Sequence, residues 1–172
     1  MITCPFCGAE AIPGADVCDN CQHSLTDLNV FEPESAVERA LLNDRIESLS
    51  PKQPSTVAPQ DRIGDVLKKM VAESIGCVMV VDGEKLLGIF SERDVLMRVN
   101  VAAASMADKP ISTVMTERPE TLRTRDKIAF ALHKMNLGGY RHVPILDGGR
   151  LVGVISIRDI LNYLTERGAA KA

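Results

Sequence analysis

Gly88-Ile89-Phe90-Ser91-Glu92-Arg93-Asp94-Val95-Leu96 returns later in the chain as Gly153-Val154-Ile155-Ser156-Ile157-Arg158-Asp159-Ile160-Leu161. Gly, Ser, Arg, Asp and Leu hold the same places in both stretches, and the correspondence extends backwards without a gap at an offset of 65 residues. Thr56 matches Thr121, Asp61 matches Asp126, and Ile63, Leu67 and Met70 match Ile128, Leu132 and Met135. Val78, Asp82 and Gly83 match Val143, Asp147 and Gly148. So many specific residues in register mark a duplicated unit. Each copy reads alike. Ile63, Val66, Leu67 and Met70, like Ile128, Ala131, Leu132 and Met135, recur at the spacing of one helix face. A short apolar run follows, then the turn dipeptide Asp82-Gly83 or Asp147-Gly148, a second strand, and a closing helix after Ser91 or Ser156. The fold class expected is α/β of the α+β kind, from two βαββα-type repeats. One repeat is too small to bury its faces, so the two are expected to pack together.

Composition sets bounds around that unit. Of 172 residues 45% are hydrophobic but only 3% aromatic, so the core is aliphatic. A net charge of −3 argues against a broad basic surface for duplex nucleic acid. With no Trp, two Tyr and four Phe, a stacking platform for single strands is poorly supplied. Met1-Ile2-Thr3-Cys4-Pro5 lacks the charged and apolar regions of a secretory signal, and no apolar run approaches the roughly 18 residues of a membrane helix. The expectation is a cytoplasmic protein with no membrane partner.

Four of the five cysteines form two close pairs, Cys4-Pro5-Phe6-Cys7 and Cys18-Asp19-Asn20-Cys21. Two-residue spacing lets both thiolates of a pair face one tetrahedral ion, and four thiolates close a structural site. The segment resembles a short zinc ribbon with Cys4, Cys7, Cys18 and Cys21 as ligands, dependent on metal for folding. Iron in a rubredoxin-like site uses the same four thiolates. His23 reads as an exposed side chain, His133 as a solvated one beside Leu132, and Cys77 as an inert core residue.

The organisation expected is a zinc ribbon over 1–30, a connecting helix or linker over 31–48, a first repeat over 46–105 and a second over 106–172. Pro33 and Glu34 suit the first turn of the connecting helix, with Val37, Ala40 and Leu41 on one face. The second repeat resembles a CBS domain, the family named after cystathionine beta-synthase. The resemblance rests on Ile111-Ser112-Thr113-Val114-Met115-Thr116, on Arg141-His142-Val143-Pro144-Ile145 and on Gly153 to Ile160. The first repeat matches well at Gly88 to Asp94, with Ser50-Pro51 standing where the second has Met115-Thr116. The order is that of a CBS pair, or Bateman module.

This resemblance implies clefts that bind adenosine-containing ligands such as AMP, ADP, ATP or S-adenosylmethionine. It places Asp94 and Asp159 on ribose hydroxyls and Ser91 and Ser156 near phosphate, with Arg93, Arg158, Arg141 and His142 able to add charge-assisted bonds. Main chain around Thr56-Val57-Ala58, Val78, Thr121-Leu122-Arg123 and Val143 would border adenine. The same Ser-x-x-Asp spacing is also that of a capping box, in which the acid serves only the helix end. No nucleophile-base arrangement, glycine-rich phosphate loop or H-E-x-x-H motif is present, so the expectation is a sensor and not an enzyme. The resemblance favours a homodimer formed through the CBS pair. A zinc ribbon would couple ligand state to a protein or nucleic-acid partner. The alternative is a dimerising scaffold whose ribbon docks without nucleotide control.

Overall fold

The computed structural model describes residues 2–4, 6–12, 15–25 and 36–169. The helix start expected at Pro33 and Glu34 lies outside the described residues. In chain order the elements are β1 (Ile2–Thr3), β2 (Glu10–Ala11), α1 (Ala36–Asn43), β3 (Thr56–Val57), α2 (Ile63–Ala72), β4 (Cys77–Asp82) and β5 (Lys85–Ser91). They continue with α3 (Glu92–Asp94), α4 (Ala103–Met106), β6 (Thr116–Glu117), α5 (Ile128–Gly138), β7 (His142–Asp147), β8 (Arg150–Ser156) and α6 (Ile157–Ala169). The chain divides into two compact units.

One unit comprises Pro51–Leu122 and His142–Ile155. Its sheet runs β3-β4-β5-β6, with β3 parallel to β4 and the other pairs antiparallel. The hairpin β4–β5 turns at Gly83, whose φ of +58° a glycine adopts without strain. The duplication shows in the pairing. Val57 lies opposite Val80, and the equivalent Leu122 forms an isolated parallel bridge with Ile145. The opening of each repeat crosses to the other's hairpin. Met115-Thr116 meets the first hairpin, through β6 on β5, and Lys52 bridges Val154 on β8. Gly88 and Gly153 mark these crossings. A Cβ at Gly88 would stand 2.6 Å from Met115 Sδ and 2.8 Å from the Thr116 carbonyl oxygen, and one at Gly153 would stand 2.7 Å from Pro51 Cβ. The repeated glycine is therefore a condition for the interleaved strands. Beneath the sheet Val57, Ile63, Val66, Met70, Val78, Val80, Phe90, Val99, Ile111 and Val114 form a continuous apolar core. Cys77, expected in the core, sits 7% exposed against Met79 and Ile89, and burial pushes its thiol up to about 12.

After Ser91 the first repeat departs from the single closing helix expected. Three residues of α3 give way to a π-helical turn (Val95–Val99), a 3-10 turn (Asn100–Ala102) and the short α4. The β-branched Val95 and Val99 sit in the π turn, and Asn100 then reverses the chain at a φ of +46°. Arg98 on this turn donates to the carbonyls of Val114 and Met115 and so fixes the approach to β6.

The other unit joins the N-terminal segment and α1 to Arg123–Arg141 and the C-terminal helix. The connecting helix expected over Pro33 to Ser48 is shorter. It ends at Asn43 and is followed by a 3-10 turn (Ile46–Leu49), because Asp44 to Glu47 bond to the strand-like chain before α5 instead of to one another. Ile46 N–H donates to Asp126 O, Glu47 N–H to Thr124 O and Ile128 N–H to Asp44 O. Asp44 also accepts from the Tyr163 hydroxyl and from Arg167 Nη2 at 2.7 Å, which ties the end of α1 to α6. Burial and the Asp44 carboxylate push the Tyr163 phenol up to about 12. Helices α1, α5 and α6 contact one another, with Ala40, Ile46, Ala131, Met135, Ile160 and Tyr163 buried.

Candidate functional sites: two Ser-x-x-Asp turns and a four-cysteine cluster

The first Ser-x-x-Asp turn forms a capping box, and in the second the carboxylate closes on its serine in the same way. In the first repeat Asp94 Oδ2 accepts from Ser91 N–H at 2.9 Å and from the Ser91 hydroxyl at 2.7 Å. In the second, Asp159 Oδ2 accepts from Ser156 N–H at 2.7 Å and from its hydroxyl at 2.6 Å. The first carboxylate is also reached from outside its motif. Asp94 is 7% exposed; its other oxygen accepts from Thr116 Oγ1 at 2.9 Å and lies 3.6 Å from Arg98 Nε. Asp159, at the head of a regular helix, is half-buried. Thr116 is a partner 22 residues away that the motif alone does not reveal.

The basic residues around the turns are shared out. Ile157 N–H donates to Arg141 O, which sets the exposed Arg141 and Arg158 beside the turn at Ser156 and Asp159. His142, at the start of β7, lies over Gly76 in the first repeat. A Cβ at Gly76 would stand 2.9 Å from His142 Cε1 and 3.4 Å from a Glu92 oxygen. Gly76 O in turn accepts from Glu92 N–H, so His142 neighbours the turn at Ser91, Arg93 and Asp94. At the positions expected to border adenine, Val57, Val78, Leu122 and Val143 are buried, Thr121 is half-buried, and Thr56, Ala58 and Arg123 are exposed. The N–H groups of Ala58 and Arg123 are held by the repeated carboxylates Asp61 and Asp126 at 2.9 and 2.7 Å.

The four cysteines converge as expected. Their sulfurs all lie within 4.8 Å of one another, with Cys4 to Cys21 at 3.8 Å and Cys7 to Cys18 at 3.5 Å. Zn–S bonds of about 2.3 Å in a tetrahedron separate the sulfurs by about 3.8 Å, so the cluster fits one such ion, and none of the thiols is paired as a disulfide. Each knuckle is a matching turn: Gly8 N–H donates to Cys4 O and Gln22 N–H to Cys18 O, with Gly8 and Gln22 at φ of +75° and +57°. Burial pushes the Cys4 thiol up and the Cys21 thiol up to about 12, and the neighbouring thiols add to both. Cys7 is brought down to about 7, because hydrogen bonds from the Asn20 side chain, the Ala9 backbone and the other thiols outweigh its burial. Four thiolates so close repel one another, and a soft divalent cation is the charge that lets all four ionise together.

Two histidines correct the sequence reading. His23 and His133, expected exposed and solvated, are half-buried and packed with Phe6. Burial lowers the His23 imidazole below its ordinary value and the adjacent His133 lowers it further.

The fold is an interleaved pair of strand-helix-hairpin-helix repeats, each with a Ser-x-x-Asp turn at the start of its closing helix. The CBS domain pattern matches residues 46–100 and 111–166, and the chain belongs to the CBS-domain family. Residues 1–45 lie outside that match. The CBS domain-containing protein CBSCBSPB1 of Arabidopsis thaliana is 37% identical over 102 residues, which are 59% of this chain and 19% of that protein. The chain thus spans about a fifth of that relative's length. Among solved structures, the CBS-domain protein ATU1752 of Agrobacterium tumefaciens is 31% identical with a TM-score of 0.66, over 70% of this chain and 98% of that one. The CBS domain protein PAE2072 of Pyrobaculum aerophilum, solved with AMP, is 27% identical with a TM-score of 0.61, over 72% and 99%. Among the described residues no helix is long and apolar enough to cross a membrane.

Proposed function

We propose that this chain is a regulatory protein whose CBS pair binds an adenosine-containing ligand, with AMP the first candidate. The observation that carries this reading is the likeness to a CBS protein solved with AMP, together with the retention here of both Ser-x-x-Asp turns. Asp159 takes the ribose hydroxyls, and Ser156, Arg158 and Arg141 face the phosphate. Asp94, Ser91, Arg93 and His142 form the corresponding set in the first repeat, closed until Thr116 is displaced. Cys4, Cys7, Cys18 and Cys21 hold zinc, and the ribbon couples ligand state to a partner. Calorimetric titration of the full-length protein with AMP, ADP, ATP and S-adenosylmethionine tests the reading. Binding of one of them, weakened about 10- to 100-fold by Asp159→Asn, is the expected result, the loss of charge-assisted bonds to two hydroxyls. Absence of heat with all four sinks it.

A specific observation supports the scaffold reading as well. Leu96, Met97 and Val101 are 71%, 72% and 96% exposed on consecutive turns after the first Ser-x-x-Asp motif, an apolar patch that a second copy would cover. Leu96→Glu with Met97→Glu is expected to convert a dimer to a monomer by light scattering. An unchanged mass would remove this patch from the interface.

A further inference from the structure

The two repeats differ on the outward side of their opening helices. Where α2 carries Gly64, Asp65 and Lys68, α5 carries Ala129, Phe130 and His133 at the matching positions. Asp65 and Lys68 form an ion pair at 3.3 Å whose side chains are 66% and 82% exposed. Phe130 and His133 are half-buried. A helix that is apolar on its outer side as well as its inner one calls for a cover. At His133 the cysteine segment supplies it. The Phe6 ring centroid lies 5.1 Å from that of His133, the His23 ring meets His133 edge-on at 4.4 Å, and the Phe6 and His23 centroids lie 3.3 Å apart with their planes tilted by 37°.

One ring comes from each knuckle. Phe6 stands between Cys4 and Cys7, and His23 follows Cys21 by two residues. The cysteine segment has a small apolar core, Cys4, Ala11, Cys18 and Leu25, half of which is sulfur ligand. Little but a shared ion can hold the two knuckles in register. We propose that metal occupancy of the four cysteines holds Phe6 and His23 against His133, so that the metal state of the ribbon is read by α5 of the second repeat. This rests on the metal reading above. The same unit carries α6, which contacts α5 and bears Asp159 in its first turn. Lys68 gives the first repeat no equivalent dock.

The test uses the full-length protein with zinc as the probe. Zinc affinity is measured by competition with a chromophoric chelator for the native chain, for His133→Ala and for His133→Phe. Amide exchange is followed with and without zinc. Docking and metal binding are reciprocally linked, so His133→Ala should weaken zinc by roughly three- to tenfold, with the aromatic replacement recovering part of the loss. Removing zinc from the native chain should speed exchange in Ile128–Gly138 while leaving Ile63–Ala72 unchanged. Zinc bound equally by native protein and variants, with exchange in α5 indifferent to it, overturns the docking proposal and leaves the metal site standing. Failure of the native chain to bind zinc at all overturns both.

Discussion

Cys18→Ser is expected to abolish high-affinity metal binding and to unfold the N-terminal ribbon. The size of the effect follows from how little else holds that segment. Two-residue strands β1 and β2 and an apolar core of Cys4, Ala11, Cys18 and Leu25 bury too small an area to offset the ordering of about twenty residues. A structural zinc site of this class contributes on the order of 10 kcal/mol or more to folding, so the segment's order is the metal's order. Replacing a thiolate by a hydroxyl removes one of four bonds. Altering even the groups that merely orient a ligand costs about 10- to 100-fold, so the loss here should exceed about 100-fold in affinity. Metal content of the purified protein and chelator competition read it directly. The visible spectrum separates the metals, because iron held by four thiolates is coloured and zinc is not. A Cys18→Ser protein that retains one metal with native affinity would exclude this cluster as the site. Cys18, at 1% exposure, also packs in the apolar core of the segment, so chelator competition, which reads the metal directly, is the deciding measurement.

What the sequence made legible was what repeats or what is local. The offset of 65 between Gly88 and Gly153 is a repeat, the helix faces of Ile63 and Ile128, the turns at Gly83 and Gly148 and the cysteine pairs are local patterns, and the chain folds as they read. The unread features depend on partners far along the chain. Asp94 and Asp159 are indistinguishable as motifs. Thr116 and Arg98 both reach Asp94, and neither belongs to the pattern around Ser91. The connecting helix stops early because Asp44 finds Ile128, Tyr163 and Arg167, residues more than eighty positions away. The π turn after Asp94 is a similar case, since Arg98 is drawn to carbonyls at Val114 and Met115. One signal was present and unused. The substitution of Phe130 and His133 for Asp65 and Lys68 breaks the symmetry of an otherwise faithful duplication, and a helix that loses its polar face has gained a neighbour.

Gly88→Ala is expected to be far more damaging than Gly83→Ala, although only Gly83 has a backbone conformation that disfavours a side chain. At Gly83 the φ is +58° and nothing lies within 4 Å of an added Cβ, so alanine there costs backbone strain alone, about 1 kcal/mol. At Gly88 the Cβ meets Met115 Sδ at 2.6 Å and the Thr116 carbonyl oxygen at 2.8 Å. The thioether can swing aside; the carbonyl belongs to β6 and cannot move without unpairing that strand from Ile89. Pushing β6 outward also withdraws the Thr116 hydroxyl from Asp94, leaving a carboxylate that is 7% exposed short of a partner. Overpacking of about 1–3 kcal/mol and a lost bond to a buried charge of about 1.5–3 kcal/mol together make roughly 2.5–6 kcal/mol, a large share of the stability of a small domain. Urea denaturation of both variants beside the native chain measures the difference, with a shared slope showing that the same surface is exposed in each. If Gly88→Ala proves no worse than Gly83→Ala, the close crossing is not what demands glycine at 88, and the seal on Asp94 is looser than its hydrogen bonds imply. A midpoint that falls as expected ties the repeated glycine, the interleaving of the repeats and the closed state of the first Ser-x-x-Asp turn to one steric fact.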